Sequence, residues 1–138
     1  MRIAIVTDAW VPQPNGVVRV LTSLRECLAD RGHRVEVVSP DGFRTVPCPS
    51  YPEIRLALFP GAGVARRIDS LQPNAIHIAT EGPLGLAARR HCLRRGYPFT
   101  TAYHTKLPEY LHVRTRLPLG WFYSVVRRFH RPAKAVFV

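Results

Sequence analysis

The sequence has few acidic residues and few cysteines. Among its 138 residues, 20 Lys and Arg stand against 9 Asp and Glu, which gives a formal net charge of +11. The three cysteines, Cys27, Cys48 and Cys92, are far apart and form no C-x-x-C pair, so neither a disulfide framework nor a zinc ribbon fits the sequence. Cys27 and Cys92 lie among apolar residues in helical patterns, and we expect both thiols to be buried and unreactive.

Long hydrophobic runs are also missing. Arg, Asp or His interrupts each apolar run before it reaches the roughly 18 residues that a membrane-spanning helix needs. The first run, residues 3–6, is too short for the core of a signal peptide. We therefore expect a cytoplasmic protein without an integral membrane segment. Because 46% of the residues are apolar, the chain can bury a core, and its length fits one domain.

Apolar residues recur at strand and helix spacings in alternation along the chain. The predicted strands cover residues 3–6, 35–38, 54–58, 75–79, 99–103 and 135–138. The predicted helices run from Val17 to a stop at Gly32 and over residues 64–71, 84–95 and 119–129. Residues 41–52 are rich in Pro and turn formers, and they predict an exposed loop. The alternation predicts an α/β fold with a Rossmann-like, doubly wound, mostly parallel sheet.

Two nucleotide-binding motifs are absent from this pattern. No G-x-G-x-x-G follows the first strand, which argues against a nicotinamide or flavin site, and no G-x-x-x-x-G-K-[ST] occurs, which argues against nucleotide hydrolysis. Gly16 instead opens a helix between Asn15 and Val17. Its backbone can approach a phosphate closely, and free helix N–H groups can receive an anion. A simple Asn-Gly turn with a helix cap explains the same residues equally well.

Polar and glycine-containing segments follow three of the predicted strands. In a doubly wound sheet, ligands bind beyond the carboxyl ends of the strands, so we expect these segments to converge on one edge. After the first strand come Asp8 and Trp10, after the fourth Glu81 and Gly82, and after the fifth Tyr103, His104, Thr105, Lys106 and Tyr110.

His104 is the strongest single candidate for chemistry at this edge. An imidazole there can donate to a sugar hydroxyl or stabilise developing charge, whereas the alternative is a packed histidine bonded to a backbone carbonyl. Glu81 can bind a hydroxyl, or it can cap the helix that begins near Pro83, where a carboxylate suits the helix dipole. The cap is the favoured interpretation of Glu81.

Four segments together resemble a known family. RIAIVTDAW at residues 2–10, PQPNGVV at residues 12–18, TEGPLG at residues 80–85 and AYHTKLPEY at residues 102–110 occur in the order of the N-terminal domain of family 4 glycosyltransferases. Within that family the chain is most similar to the GDP-mannose-dependent α-mannosyltransferases and to the sulfoquinovosyl transferases that glycosylate lipids. The resemblance covers essentially all of residues 1–138.

The resemblance implies the acceptor-side half of a GT-B architecture, in which two Rossmann-like domains face across a cleft. Such enzymes move a hexose from a nucleotide sugar to a lipid or glycan acceptor with retention of configuration and without a metal; here it implies mannose from GDP-mannose. By the same resemblance Gly16, flanked by Asn15 and Val17, contacts the donor phosphates, and His104 acts at the transferred sugar. The residues expected to line the cleft are Asp8, Trp10, Glu81, Gly82, Tyr103, Thr105, Lys106 and Tyr110. Leu107 stands where Phe is more common, which affects the expected shape of the acceptor pocket.

The donor-binding C-terminal domain of that family has no counterpart in the sequence. The last predicted strand, residues 135–138, also has no helix after it, although parallel strands need crossover helices. We therefore expect a chain truncated at its C-terminal end that neither transfers sugar nor binds the donor well by itself. A non-catalytic sugar- or phosphate-binding domain and a basic nucleic-acid-binding domain are the alternatives.

Much of the positive charge lies in the second half of the chain. No nucleic-acid-binding module is recognisable there, so nucleic acid is not the expected partner. Residues 119–131 predict an amphipathic helix in which arginines alternate with Trp121, Phe122, Val125, Val126 and Phe129. The apolar face can pack on the sheet, or the helix can lie on an anionic membrane, which would place the protein at the inner face of the plasma membrane.

Overall fold

The computed structural model of the protein describes residues 1–10, 16–47, 55–102 and 118–137. Within these ranges the chain forms strands and helices in alternation. In chain order they are β1 (Arg2–Val6), α1 (Gly16–Asp30), β2 (Arg34–Val38), β3 (Thr45–Pro47), β4 (Arg55–Ala57), α2 (Gly61–Leu71), β5 (Ala75–Ile78), α3 (Pro83–Arg95), β6 (Thr100–Ala102), α4 (Leu119–His130) and β7 (Ala135–Phe137). None of the described helices is long and apolar enough to cross a membrane.

Five strands form one parallel sheet. Its order is β2-β1-β5-β6-β7, and every neighbouring pair runs parallel. β1 lies between β2 and β5, and its residues Ala4, Ile5 and Val6 are fully buried. A strand that is covered on both faces needs apolar side chains at every position, and the unbroken run IAIV supplies them. The α/β class and the parallel sheet predicted from the sequence are confirmed.

Helices pack on both faces of this sheet because side chains alternate along β1. Ala4 and Val6 point to the face that carries α2, α3 and the buried Phe129 of α4. Ile3 and Ile5 point to the other face, where they pack with Leu21 of α1. The helical layers on opposite faces make the sheet doubly wound, as the sequence predicts.

β3 and β4 form a separate antiparallel ribbon. The predicted strand over residues 54–58 corresponds to β4, but its partner is β3 rather than a strand of the parallel sheet. The prediction of a plain loop over residues 41–52 is wrong where β3 lies. A three-residue strand is too short to show a two-residue period, which is why the sequence pattern does not reveal it.

The cysteines divide between core and surface. Cys92 of α3 is buried, as predicted, whereas Cys27 of α1 is exposed, so the prediction of a buried Cys27 thiol is wrong. Cys27 follows the buried Val18 by 27 − 18 = 9 positions. At about 100° per residue this places Cys27 on the opposite side of the helix. Cys48 lies outside the described residues.

A polar cluster joins α2 to α3. Asp69 Oδ1 lies 2.9 Å from His91 Nε2 and accepts a hydrogen bond from the Tyr97 hydroxyl at 3.4 Å. Arg95 Nη2 lies 4.0 Å from Asp69 Oδ2. The hydrogen bond to His91 lowers the pKa of Asp69 below its ordinary value of 3.8; burial opposes this, and the charges of His91 and Arg95 add to it.

We expect Asp69→Asn to destabilise the protein at neutral pH and to have less effect in acid. Because the pKa of Asp69 is lower in the folded than in the unfolded chain, its ionised form stabilises the fold above about pH 4, and this contribution is lost as the pH falls through the folded-state pKa. Urea midpoints of the wild type and the variant should differ at about pH 7 and converge below about pH 4. Asp30→Asn, at the exposed end of α1, is the matched control. A difference that persisted in strong acid would contradict this account.

Candidate functional site

The carboxyl ends of β1 and β5 meet at one edge of the sheet. The two strands are neighbours, so the residues after Val6 and after Ile78 emerge side by side. The Asp8 backbone N–H donates to Thr80 Oγ1 at 2.7 Å, and the Thr80 hydroxyl donates to Asp8 Oδ2 at 2.6 Å. Two of the segments that the sequence predicts at the ligand edge are thus joined directly.

The Asp8 carboxylate caps the N-terminus of α3. The Leu84 N–H donates to Oδ1 at 2.8 Å, and the Gly85 N–H donates to Oδ2 at 3.4 Å. The first N–H groups of a helix have no partner within the helix, so these bonds satisfy donors that would otherwise be buried alone. Asp8 is 5% exposed. The sequence predicts that Asp8 lines the cleft. In the structure its carboxylate is bonded to Thr80 and to the first turn of α3, and it holds α3 to the sheet.

Gly82 and Gly85 leave room for this arrangement. A Cβ added at Gly82 would overlap the Asp8 carboxylate, and one added at Gly85 would overlap the Thr80 carbonyl oxygen. Pro83 is the first residue of α3, where a missing backbone N–H does no harm. Packing and helix capping therefore explain the residue types at most positions of the segment TEGPLG.

Burial raises the pKa of Asp8 because the charged carboxylate has lost its hydration. The hydrogen bond from Thr80 and the backbone N–H groups of Leu84, Gly85 and Gly82 favour the charged form and oppose this rise without cancelling it. The positive end of the α3 dipole favours the same charge. The carboxyl group is thus held by oriented donors and a helix terminus.

Glu81 contacts a different part of the chain. Its Oε1 lies 2.8 Å from Nε2 of His130, the last residue of α4. Nδ1 of His130 lies 2.7 Å from Oγ1 of Thr101 on β6. The favoured interpretation of Glu81 as the cap of α3 is therefore wrong, because Asp8 occupies that helix terminus.

His130 is the residue at this edge that the sequence analysis missed. It is 8% exposed, and Thr101 is fully buried. The helix predicted from the sequence ends at Phe129, one residue before His130. One sequence pattern could have revealed His130. A polar residue that directly follows the last apolar position of a core-facing helix is itself buried, and it then needs a hydrogen-bond partner.

Trp10, Gly16 and Val17 lie on the α1 side of the sheet. Trp10 is buried and packs with Ile3 and Ile5, and Val17 packs against the same cluster. Gly16 is the first residue of α1, and a Cβ added there would meet nothing within 4 Å. The other predicted site residues, Asn15, Tyr103, His104, Thr105, Lys106 and Tyr110, lie outside the described residues.

The N-terminus of α1 is the feature of this edge best suited to a phosphate. The helix has 15 residues, and its first turn contains no acidic residue. The positive end of its dipole therefore favours an anion. Within the part of the chain that the structure describes, no three His, Cys, Asp or Glu side chains are grouped so that they could hold a metal ion.

A doubly wound sheet with polar segments joined at the carboxyl ends of β1 and β5 defines a Rossmann-like, ligand-binding class of domain. Residues 14–138 match the family model described as Glycosyltransferase Family 4. The chain belongs to this glycosyltransferase family, and the resemblance found in its four sequence segments is confirmed.

Curated relatives include enzymes that act on different substrates. A GDP-mannose-dependent alpha-mannosyltransferase of Mycobacterium tuberculosis is 26% identical in a gapped alignment of 155 positions that spans 96% of this chain and 40% of the relative. An alpha-monoglucosyldiacylglycerol synthase of Acholeplasma laidlawii is 32% identical in a gapped alignment of 135 positions that spans 85% of this chain and 33% of the relative. The chain thus spans two fifths or less of the length of these relatives.

Proposed function

We propose that this chain is the N-terminal, acceptor-side domain of a retaining glycosyltransferase that moves mannose from GDP-mannose to a lipid or glycan acceptor. The observation that carries the proposal is the match of residues 14–138 to the glycosyltransferase family. The link between two of the family-like segments, through Asp8 and Thr80, lies at the edge of the sheet where such folds bind ligands. The relative named as a GDP-mannose-dependent mannosyltransferase supports the choice of donor.

The residues predicted to contact the donor have specific roles in this proposal. Gly16, between Asn15 and Val17, receives the donor phosphates at the N-terminus of α1, where glycine lets the ligand approach the backbone. His104 stabilises the charge that develops at the transferred sugar, and no metal is required. The donor base is bound by a second domain. The isolated chain is therefore expected to bind GDP-mannose weakly and to transfer nothing.

Transfer by the complete native gene product tests the proposal. The product is incubated with radiolabelled GDP-mannose and lipid extract, and we expect a mannosylated lipid or glycan. His104→Ala should lower kcat about a hundredfold, as expected when a general acid–base or charge-stabilising group is lost. His33→Ala, before β2 at the amino end of the sheet, is the matched control.

Three other results would contradict the proposed transferase function. Turnover by the isolated chain would show that no second domain is needed. Sugar or phosphate affinity without turnover in the complete product would identify a binding domain. Affinity for any DNA duplex that falls steeply with salt would identify a nucleic-acid-binding protein.

A lipid acceptor requires access to a membrane, and the layer of α3 and α4 offers a suitable surface. Phe129 of α4 is buried, whereas Trp121 and Val125 are about half exposed, at 56% and 49%. Arg89 of α3 donates to the carbonyl oxygens of Phe129 and Arg128, so the two helices lie together. The exposed basic residues on or beside these helices are Arg90, Arg94, Arg95, Arg127, Arg128 and Arg131. We infer that this apolar and basic surface docks on anionic lipid.

Flotation with phosphatidylglycerol vesicles tests the docking surface. The wild-type chain should float with the vesicles at low salt and should be released at high salt, because charge attraction is screened. Trp121→Ser should weaken flotation, since the indole no longer enters the headgroup region. Leu24→Ser removes an exposed apolar side chain from α1, on the other side of the sheet, and should leave flotation unchanged. Absence of salt-sensitive flotation in the wild type would contradict the docking proposal.

A further inference from the structure

The contacts of His130 point to a role beyond the packing of α4. This residue bridges Glu81, which follows β5, and Thr101, near the end of β6, so it joins two strand ends at the ligand edge. The C-terminus of α4 is already fastened by Phe129 in the core and by the two hydrogen bonds of Arg89. Attachment of the helix therefore does not explain why a histidine stands here.

The partners favour one direction for each hydrogen bond of the ring. A carboxylate oxygen accepts, so the contact of 2.8 Å is satisfied when Nε2 carries a proton and donates to Glu81 Oε1. In the neutral imidazole the other nitrogen accepts, and the Thr101 hydroxyl then donates to Nδ1. Both His130 and Thr101 are buried, and the ring is held between the side chains of Thr101 and Glu81.

The two carboxylates at this edge are used differently. Asp8 engages both of its oxygens with α3 and Thr80. Glu81 engages Oε1 with His130, and Oε2 has no donor among the described residues. The Glu81 side chain is 17% exposed, so it is held nearly rigid while part of it reaches the surface. An oriented carboxylate oxygen beyond the carboxyl ends of parallel strands is suited to accept a hydrogen bond from a ligand hydroxyl.

We propose that Glu81 accepts a hydrogen bond from a sugar or polyol hydroxyl of the ligand, and that His130 is the positioning residue that holds Glu81 for this contact. The inference rests on the proposed function and deepens it, because it names a specific hydroxyl contact. The hydroxyl belongs either to the donor hexose or to the acceptor. The chemistry of the contact is the same in both cases.

Two neutral substitutions distinguish positioning from packing. His130→Gln places an amide N–H near the position of Nε2, so it can keep the bond to Glu81. His130→Asn reaches only the position of Nδ1 and loses that bond. Both variants remove the imidazole, so a purely structural role predicts similar effects for the two. His91→Asn is the matched control, because His91 also holds a carboxylate through Nε2 at 2.9 Å, but between α2 and α3.

Kinetics of the complete native gene product give the first readout, with GDP-mannose and extracted lipid acceptor varied in turn. We expect His130→Asn to raise one KM about tenfold, the loss expected for one charge-assisted hydrogen bond, and His130→Gln to retain most of the affinity. A rise in the KM for GDP-mannose assigns the hydroxyl to the donor, and a rise for the lipid assigns it to the acceptor. In a Glu81→Gln background, His130→Asn should add little.

Nitrogen NMR of the ring gives a second readout that does not depend on activity. In the isolated wild-type chain we expect the Nε2–H tautomer of His130, and Glu81→Ala should remove the preference. An Nδ1–H tautomer in the wild type would overturn the proposal, and so would equal KM values for the Gln and Asn variants of an active enzyme. A native product without any transferase activity would instead overturn the proposed function, and the ligand role of Glu81 with it.

Discussion

Asp8→Ala is expected to lower the free energy of unfolding by about 4 kcal/mol. The substitution leaves the N–H groups of Leu84 and Gly85 and the hydroxyl of Thr80 without their acceptor, at a position that is 5% exposed. A buried donor without a partner costs roughly 1 to 3 kcal/mol, so three of them exceed the effect of an ordinary helix cap. Urea unfolding followed by circular dichroism measures the loss.

Asp8→Asn keeps one accepting oxygen at the helix terminus and removes the other. The amide oxygen can still accept from Leu84, but the amide NH2 group faces donors at Gly85 and Thr80. We expect about half the effect of the alanine variant, roughly 2 kcal/mol. Asp30→Asn is the surface control. An alanine variant within about 1 kcal/mol of the wild type would contradict the capping role of Asp8.

Gly85→Ala is expected to lower the free energy of unfolding by about 3 kcal/mol, although it adds one methyl group. That group would overlap the Thr80 carbonyl oxygen, which is backbone and cannot turn aside. The loop must therefore shift, and the shift weakens the bonds between Thr80 and Asp8. Thermal and urea unfolding of the isolated chain measure the effect.

Gly61→Ala is the control for glycine replacement in a helix. A Cβ at Gly61, the first residue of α2, would meet nothing within 4 Å. Alanine there should be neutral or should stabilise the protein by up to about 1 kcal/mol, because it lowers the entropy of the unfolded chain. If Gly85→Ala behaved like Gly61→Ala, the close approach of α3 to Thr80 would be disproved.

The segments that resemble the glycosyltransferase family are partly architectural. In TEGPLG, Thr80 and the glycines fit the Asp8 carboxylate, and Pro83 begins α3. In this chain these positions build the sheet edge, and they carry little information about the sugar or the acceptor. Within this segment, Glu81 is the residue whose side chain turns to another element.

Sequence patterns predicted the features that depend on near neighbours in the chain. The apolar run of β1 and the glycine stop at Gly32 are local. The structure confirms both, with a buried β1 and a φ of 86° at Gly32. The contacts of Asp8 and His130 are not local, because they join residues dozens of positions apart whose meeting depends on the strand order. A helix cap is normally predicted from the residue just before the helix. The cap of α3 is Asp8, which follows β1, so this rule does not predict it.

The link between Asp8 and α3 also sets an order of events during synthesis. β1 pairs with β5, and Asp8 bonds to Leu84, 76 positions later, so β1 emerges from the ribosome long before β5 and α3 exist. At about 5 to 20 residues per second, the synthesis of these positions takes roughly 4 to 15 s. Until then the edge of β1 that later pairs with β5 is open, and an unpaired apolar strand edge in a nascent chain is a state that chaperones bind and that promotes aggregation.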